Sequence, residues 1–476
     1  MDTTTILNLK PAPDQRVAEL ESQLLQRDAL IAQLQQRLTA LEQRLTELEQ
    51  AAKRQATPFA RKQRKENPKR PGRKAGQGQF TSRTRPTPEE VTDTKEQRLD
   101  VCPKCGGSVT DLKEHEQFVV DLPEVKLTVT RYLTQSGQCA ECGQRVRSRH
   151  PEQISQATGA AGVVIGPRAK GFAADLKHRL GVPYGKVAEV LSVGFGLPVS
   201  RSGLCQADAR LARQSRPVYD ELLKLIQQSA IVHVDETGWR IGTLSAWLWV
   251  FTNRDLTVYT IDTGRGHEVV LKMLGESFGG ILVTDCFTAY NHQVFADWLK
   301  QKCLGHLLKD LSGFQEVKTG GAVRFAREVT MVLREALKLR DQKEKLFAVD
   351  FMAQVAQLET RLDALIDARR RLTDPDNIRF AKRLRKHRPH LLRFLYIDSL
   401  DATNNQAERM LRPAVITRKT GGCNRTPDGA ATHSILASIL VTCRQQGLSI
   451  VDSLIKIQRN TGSTFKSLAP PALEAL

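Results

Sequence analysis

Apolar residues recur at alternating steps of three and four through residues 15–50, a spacing that restricts this stretch to one long helix paired with another. With Val17 at position a, the a series is Val17, Leu24, Ile31, Leu38 and Leu45, and the d series is Leu20, Arg27, Leu34, Leu41 and Leu48. Nine of these ten seam positions are apolar over five heptads, and such a seam is buried by knobs-into-holes packing. The alternative is a lone amphipathic helix lying on its own domain. Gln, Glu, Arg and Thr fill most positions off the seam, which disfavours it. Arg27 weakens one layer and helps set the register. A self-associating helix is expected, giving a homo-oligomer and most simply a dimer.

The pattern breaks at Lys53. Residues 51–84 read as a flexible basic linker in which ten Lys and Arg face the single acid Glu66 over residues 53–74. Pro58, Pro68, Pro71, Gly72, Gly76 and Gly78 oppose persistent structure there. An arm of this kind neutralises phosphates without reading bases; Lys62, Arg64, Lys65, Lys69, Arg70, Arg73 and Lys74 are its candidate DNA contacts. The whole chain shares the bias. Its 476 residues carry 71 Lys and Arg against 52 Asp and Glu, a formal net charge of +19. That charge repels itself unless a polyanion offsets it; a basic surface kept for solubility is the plainer alternative. No run approaches the roughly 20 apolar residues of a membrane span, and Met1-Asp2-Thr3 opens no signal peptide. Nine cysteines without an export signal favour metal binding over disulfides. The expected compartment is cytoplasmic.

Four of those cysteines form two CxxC turns, Cys102-Pro-Lys-Cys105 and Cys139-Ala-Glu-Cys142, each followed by Gly and separated by 33 residues. The Gly lets the backbone turn so that amides can point at thiolate sulfur. Residues 117–122 and 127–133 between them read as strands, so 85–150 is expected to be a zinc ribbon that binds DNA. Four thiolates complete a tetrahedral Zn2+ and leave no open position, which makes the ion structural.

Residues 160–228 read as helical. One helix opens at Val182-Pro183-Tyr184 and runs through Leu191, residues 194–198 form a break, and Ser200 or Ser202 caps a second helix through Ala212. A helix-turn-helix DNA reader and two ordinary packed helices fit this equally well.

From Ile231 the pattern becomes α/β. Ile231–Val234, Ser245–Thr252, Leu256–Ile261 and Gly280–Thr284 read as strands, with a helix over 267–274. The first strand is expected to end at Asp235 and the fourth at Asp285. Carboxylates are costly in a core but well placed at such an edge, and a pair of them can share Mg2+ or Mn2+ with substrate phosphate oxygens. Two such ions per site would activate the attacking oxygen and stabilise the leaving one. Glu408 is the best third ligand. In Asn404-Asn-Gln-Ala-Glu408-Arg-Met-Leu-Arg412-Pro413, read as a helix, Asn404, Glu408 and Arg412 share one face. Arg409, Arg412, Arg418 and Lys419 are candidate DNA-phosphate contacts. Taken singly, an Asp ending a strand is more often a turn former or a helix cap; the combination carries the case.

At this point the sequence closely resembles the insertion sequence 66 family of bacterial DDE transposases. The resemblance runs through the zipper-like N-terminus, Gly72-Arg-Lys-Ala-Gly-Gln-Gly78 and the CxxC pairs. Its most specific motifs are His233-Val-Asp-Glu-Thr-Gly-Trp239, Thr284-Asp-Cys-Phe-Thr-Ala-Tyr290, Cys303-Leu-Gly-His306 and Asn404–Pro413. It implies a ribonuclease-H-like catalytic fold over 229–428, with Asp235, Asp285 and Glu408 matching the DDE triad. The 122 residues between Asp285 and Glu408 would hold an all-helical insertion at about 323–397, and 429–476 would be a C-terminal helical segment. The expected fold class is therefore multidomain α+β, comprising coiled coil, zinc ribbon, helical DNA-binding region and ribonuclease-H-like core.

Cys303 and His306 match a CxxH feature of the superfamily. With two ligands in sight, a packing or site-support role is expected there rather than a zinc site, and Asn404 is grouped with them. Similar sequences carry more basic residues after that His, whereas here Leu307 and Leu308 precede Lys309. The resemblance implies cleavage of transposon ends by water, then attack of the freed 3′-OH groups on target DNA. It also implies nucleoid association and accessory proteins encoded by the element. A ribonuclease-H-like nuclease would need the carboxylates but not strand transfer, and a sequence-specific DNA-binding regulator would not need them at all.

Overall fold

The computed structural model describes residues 13–53 and 83–459. It opens with a 41-residue helix, α1 (Pro13–Lys53). The seam side chains from Val17 to Leu45 are 48–67% exposed, Arg27 apart, so the described residues do not cover them. Most of the linker, including Lys62, Arg64, Lys65, Lys69, Arg70, Arg73 and Lys74, lies outside the described residues.

Almost every residue from 83 to 165 is exposed or partly exposed. The two CxxC turns fold alike. Gly106 N–H donates to Cys102 O and Cys102 N–H to Gly107 O, both at 2.8 Å, while Gly143 N–H donates to Cys139 O at 3.0 Å and Cys139 N–H to Gln144 O at 2.9 Å. Gly106 and Gly143 sit at φ +74° and +68°, a left-handed backbone that favours glycine. Strands β1 (Ser136–Gln138) and β2 (Arg145–Arg147) pair antiparallel around the second turn. The strands expected at 117–122 and 127–133 do not form. Val119, Leu122, Val129 and Leu133 are at least 80% exposed; with no partner strand and no sheet face to cover, alternation alone does not hold an extended chain. Nor do the four thiols gather. Among the described residues, the one trio of Cys, His or carboxylate ligand atoms within 4.8 Å of one another lies elsewhere.

Four helices follow: α2 (Pro167–Ala174), which continues through a π turn at Asp175–Arg179, α3 (Tyr184–Phe195), α4 (Arg201–Gln214) and α5 (Arg216–Gln227). Ser200 is the cap of α4, its Oγ accepting Gly203 N–H at 3.0 Å. α3 and α4 run longer than expected, and a buried network ties them to the last part of the chain. His178 lies 3.0 Å from both Asp208 Oδ2 and His433 Nδ1, and Tyr184 donates its hydroxyl to Asp208 at 2.8 Å.

The sheet contains β3 (Ile231–Ile241), β4 (Leu244–Thr252) and β5 (Thr257–Asp262), then, after α6 (His267–Leu274), β6 (Ile281–Thr284) and β7 (Leu299–Lys302). Its order is β5-β4-β3-β6-β7. The first three strands form an antiparallel meander, while β6 and β7 run parallel to β3. β3 does not stop at Val234. It continues through Asp235, which pairs with Val250, to Ile241. Its parallel neighbour covers only Ile231–His233, so beyond that β3 is paired on one side alone, by β4. β7 has no apolar signature. Lys300, Gln301 and Lys302 are all buried, and Gln301 replaces apolar packing with hydrogen bonds to Leu391 O at 2.9 Å and Phe394 N at 3.0 Å.

A helical region follows at once, starting before the 323–397 expected for the insertion: α7 (Leu304–Val317), α8 (Gly320–Asp341), α9 (Ala348–Asp367) and α10 (Pro375–His387). These helices enclose a second core that includes Leu311, Val329, Leu333, Val355, Leu362 and Leu384 and reaches the sheet at Ile281 and Val283. The chain returns to the sheet with α11 (Asn405–Gly421), α12 (Pro427–Gln445) and α13 (Ile450–Arg459). α12 is no separate tail. Leu436, Ile439 and Leu440 share the main core with Val232, Trp249 and Phe251, and Ser438 Oγ accepts Tyr259 N–H at 2.8 Å. Among the described residues no helix is long and apolar enough to cross a membrane.

Candidate catalytic site

The site is built where β6 ends. His233 pairs with Val283 in the parallel ladder; Asp235, further along β3, and Asp285, just past the end of β6, each follow two residues later, and the Asp285 charge acts on Asp235. Asp285 Oδ1 accepts Phe287 N–H at 2.8 Å, and Asp235 Oδ1 accepts Glu236 N–H at 2.9 Å. Burial, then the negative charges of Glu236 and Asp285, push the Asp235 carboxyl up to about 7.

Glu408 arrives in the first turn of α11, and Asn404 places it there. Asn404 is fully buried. Its Nδ2 donates to Val234 O at 2.8 Å, its Oδ1 lies 3.2 Å from His233 Nδ1, and its N–H donates to Cys303 Sγ at 3.1 Å. One amide thus fastens the start of α11 to β3 immediately before Asp235 and to the loop leaving β7. His306 Nε2 lies 3.7 Å from Glu408 Oε1. Cys303, followed by the charges of Asp285 and Glu408, raises His306 to about 9 against the effect of burial. His306 also acts on Asp235, so one imidazole is within electrostatic reach of all three carboxylates.

With this geometry in place the comparisons can be read. The family model described as Transposase IS66 family matches residues 162–432, more than half of the chain. The chain belongs to the IS66 transposase family. It is also similar to two uncharacterized proteins of Sinorhizobium fredii. One, y4qI, is 24% identical over 323 residues, 60% of this chain and 58% of that protein. The other, y4jD, is 24% identical over 381 residues, 73% of this chain and 72% of that protein. The chain therefore matches somewhat over half the length of the first relative.

Several residues of this IS66 family chain that shape the site were not singled out in the sequence. Glu236, next to Asp235, is not free to bind metal. Arg265 donates to its Oε1 at 2.9 and 3.1 Å, and Tyr290 donates its hydroxyl to Oε2 at 2.6 Å. Arg265 itself is held between the Trp247 and Phe287 rings, 4.1 and 4.2 Å from their centroids. Lys302, lowered to about 8 by burial, donates to Thr284 Oγ1 and Asp285 O at 3.0 Å each and so fixes the strand end. The Tyr290 signal was present in the Thr284–Tyr290 motif; Lys302 gave none, being a lysine in a polar strand.

Arg418, an expected DNA contact, donates to Thr237 Oγ1 at 3.0 Å and to Gly238 O and so ties α11 to β3. Arg409 is exposed and bonded to Gln406 at 2.6 Å, while Arg412 and Lys419 are exposed. A second basic face, unmarked in the sequence, lies on α10. Lys382, Arg385 and Lys386 are exposed, and among the described residues none of the three has an ion-pair partner. Arg383 and Lys386 are near enough to Cys286 and Lys302 to act on them electrostatically, which places this face beside Asp285. Burial, then surrounding Lys, Arg and His charges, drives His387 down to about 3.

Proposed function

We propose that this chain is a DNA transposase that cleaves the ends of an insertion sequence and joins them to target DNA through a site formed by Asp235, Asp285 and Glu408. The observation carrying this reading is the approach of Asp285, at the exit of β6, to the buried Asp235 of the neighbouring strand β3, whose carboxyl is pushed up by burial and by the charges of Glu236 and Asp285. A carboxyl held near 7 by burial and by other carboxylates is short of a cation, and an all-oxygen set suits Mg2+ or Mn2+. Asp235, Asp285 and Glu408 would hold such ions, closing on them from an arrangement in which their oxygens do not all lie within 4.8 Å of one another. The bound ions would lower the pKa of the attacking water or 3′-OH and offset charge on the transferring phosphate.

The chain's own residues do the rest. Asn404 sets the approach of Glu408, Lys302 holds the backbone of Asp285, and Arg265 with Tyr290 keeps the Glu236 charge occupied. The strand order β5-β4-β3-β6-β7 with one antiparallel meander supports the ribonuclease-H-like reading of this core. Lys382, Arg385 and Lys386, together with Arg409, Arg412 and Lys419, offer cations for DNA phosphates on two sides of the carboxylates. The two CxxC turns fold alike, and a structural Zn2+ held by Cys102, Cys105, Cys139 and Cys142 would have to draw them together, since their thiols stand apart in this structure. Backbone amides, those of Lys104 and Cys105 at one turn and of Cys142 and Glu141 at the other, lower the Cys102 and Cys139 thiols, as metal-binding sulfur requires. The uncovered α1 seam supports pairing of two protomers across two DNA ends.

The test is cleavage and joining of labelled terminal DNA with Mg2+ by wild type, Asp285→Ala and Glu408→Ala. Wild type should do both and the variants neither, while all three still bind DNA. Cleavage without joining would favour a nuclease; strand transfer surviving both substitutions would remove the carboxylates from the mechanism.

A further inference from the structure

Cys303 ends β7 and precedes α7. Its N–H donates to Thr284 O at 2.8 Å, and its buried sulfur accepts the Asn404 N–H at 3.1 Å. One turn along α7, His306 swings its ring back toward that sulfur and toward Glu408. The ligand atoms of Cys303, His306 and Glu408 all lie within 4.8 Å of one another, a grouping no other Cys, His or acidic trio among the described residues makes. Among the described residues His306 Nδ1 is buried with no well-formed hydrogen bond, while the Cys303 sulfur acts on the same ring. A sequence reading sees two donors spaced CxxH; the fold supplies the third from a residue 102 positions after His306.

Sulfur, imidazole nitrogen and carboxylate oxygen form a soft-to-borderline donor set. Around one tetrahedral Zn2+ such atoms lie roughly 3.3–3.8 Å apart, so side-chain rotations of about an ångström would close the trio on an ion. Thiolate and imidazole select Zn2+-like ions and reject Mg2+, which needs oxygen ligands. We propose that Cys303, His306 and Glu408 form a binding site for a thiophilic divalent cation such as Zn2+, with one position open, and that an ion held there draws Glu408 away from Asp235 and Asp285. Binding displaces the Cys303 thiol proton, and any proton on the His306 nitrogen that takes the ion, to solvent. The hard and soft ions then compete for one carboxylate, which makes the trio an off-switch; this second clause, unlike the first, rests on the catalytic reading above.

The probe is Co2+, whose bond to thiolate absorbs visibly, titrated into the metal-stripped full chain kept reduced. Cobalt on the two CxxC turns is common to every variant, so the number of thiolate-bound equivalents decides. Wild type should bind one equivalent more than Cys303→Ser, and His306→Gln should weaken that equivalent at least about tenfold. Equal numbers in wild type and Cys303→Ser would overturn the site. If Cys303→Ser does not fold, His306→Gln, with its half-exposed side chain, decides alone: unchanged cobalt affinity overturns the proposal. In a second arm, Zn2+ inhibition of cleavage is expressed relative to each protein's own rate in Mg2+. Wild type should lose at least tenfold at a Zn2+ level that leaves Cys303→Ser little affected. Equal inhibition would overturn the competition while leaving the site. Absence of Mg2+-dependent cleavage in wild type would instead refute the catalytic reading, without touching the cobalt count.

Discussion

Residues 83–165 and the core beyond Pro167 come from one chain, yet they use their apolar residues in opposite ways. In the core, Trp249, Phe251, Leu282 and Leu440 are fully enclosed, and even β7 satisfies its buried polar groups internally. In the N-terminal part, Leu122, Val129 and the α1 seam face outward. Apolar burial stabilises by roughly 25 cal/mol per Å2 removed from water, so the core has its folding energy within the chain. The described N-terminal part buries little apolar surface, and on the proposed reading a second α1, a metal ion or DNA would supply the rest. On that reading the core carries the chemistry and the N-terminal part is ordered by assembly.

The largest expected effect is on assembly. Leu34→Glu with Leu41→Glu should convert an α1-paired oligomer into a monomer while core helicity remains, as read by sedimentation and circular dichroism. An unchanged oligomer would place association elsewhere. Next comes stability. Phe251→Ala should destabilise the core by about 3–5 kcal/mol, whereas Leu122→Ala should stay within about 0.5 kcal/mol; similar shifts in denaturant unfolding would erase the contrast. Asn404→Ala should cost about 1–3 kcal/mol by leaving Val234 O and His233 without their partner, and it should slow cleavage more than it weakens DNA binding.

The smallest effect is electrostatic and has an unusual sign. Asp235 has its folded pKa raised from 3.8 to about 7, so the metal-free folded state binds more protons than the unfolded one between those values. The stabilisation is present below about pH 4 and is lost as pH rises through 7. Asp235→Asn should therefore stabilise the metal-free protein at pH 8 by roughly 1–3 kcal/mol, with no gain at pH 4. For the same reason divalent-ion affinity should fall as pH drops below 7, because the ion displaces that proton.

The contrast between the regions also explains what the sequence made legible. Asp235 and Asp285 stood out because short apolar strands lead into them, and α6 and the Asn253 turn fall where their patterns place them. Alternation misled at 117–133, where nothing covers the apolar face. It also failed at β7, whose Lys300, Gln301 and Lys302 are buried by partners that no local pattern announces. The β3 extension depends on β4 for its register, and the bond of Arg418 to Thr237 spans 181 residues. Glu408 was placed by its motif. Asn404, which holds it against β3, was grouped with Cys303 and His306 without the contacts that give it a role.

The central claim is that three carboxylates from β3, the end of β6 and α11 make one oxygen-ligand metal site. Titration of Mn2+ into the DNA-bound protein at pH 8, with free ion counted by electron paramagnetic resonance, tests it most directly. Mn2+ should bind tightly to wild type, weaken at least tenfold in Glu408→Gln and be lost in Asp285→Asn. Undiminished binding in Asp285→Asn would contradict the site.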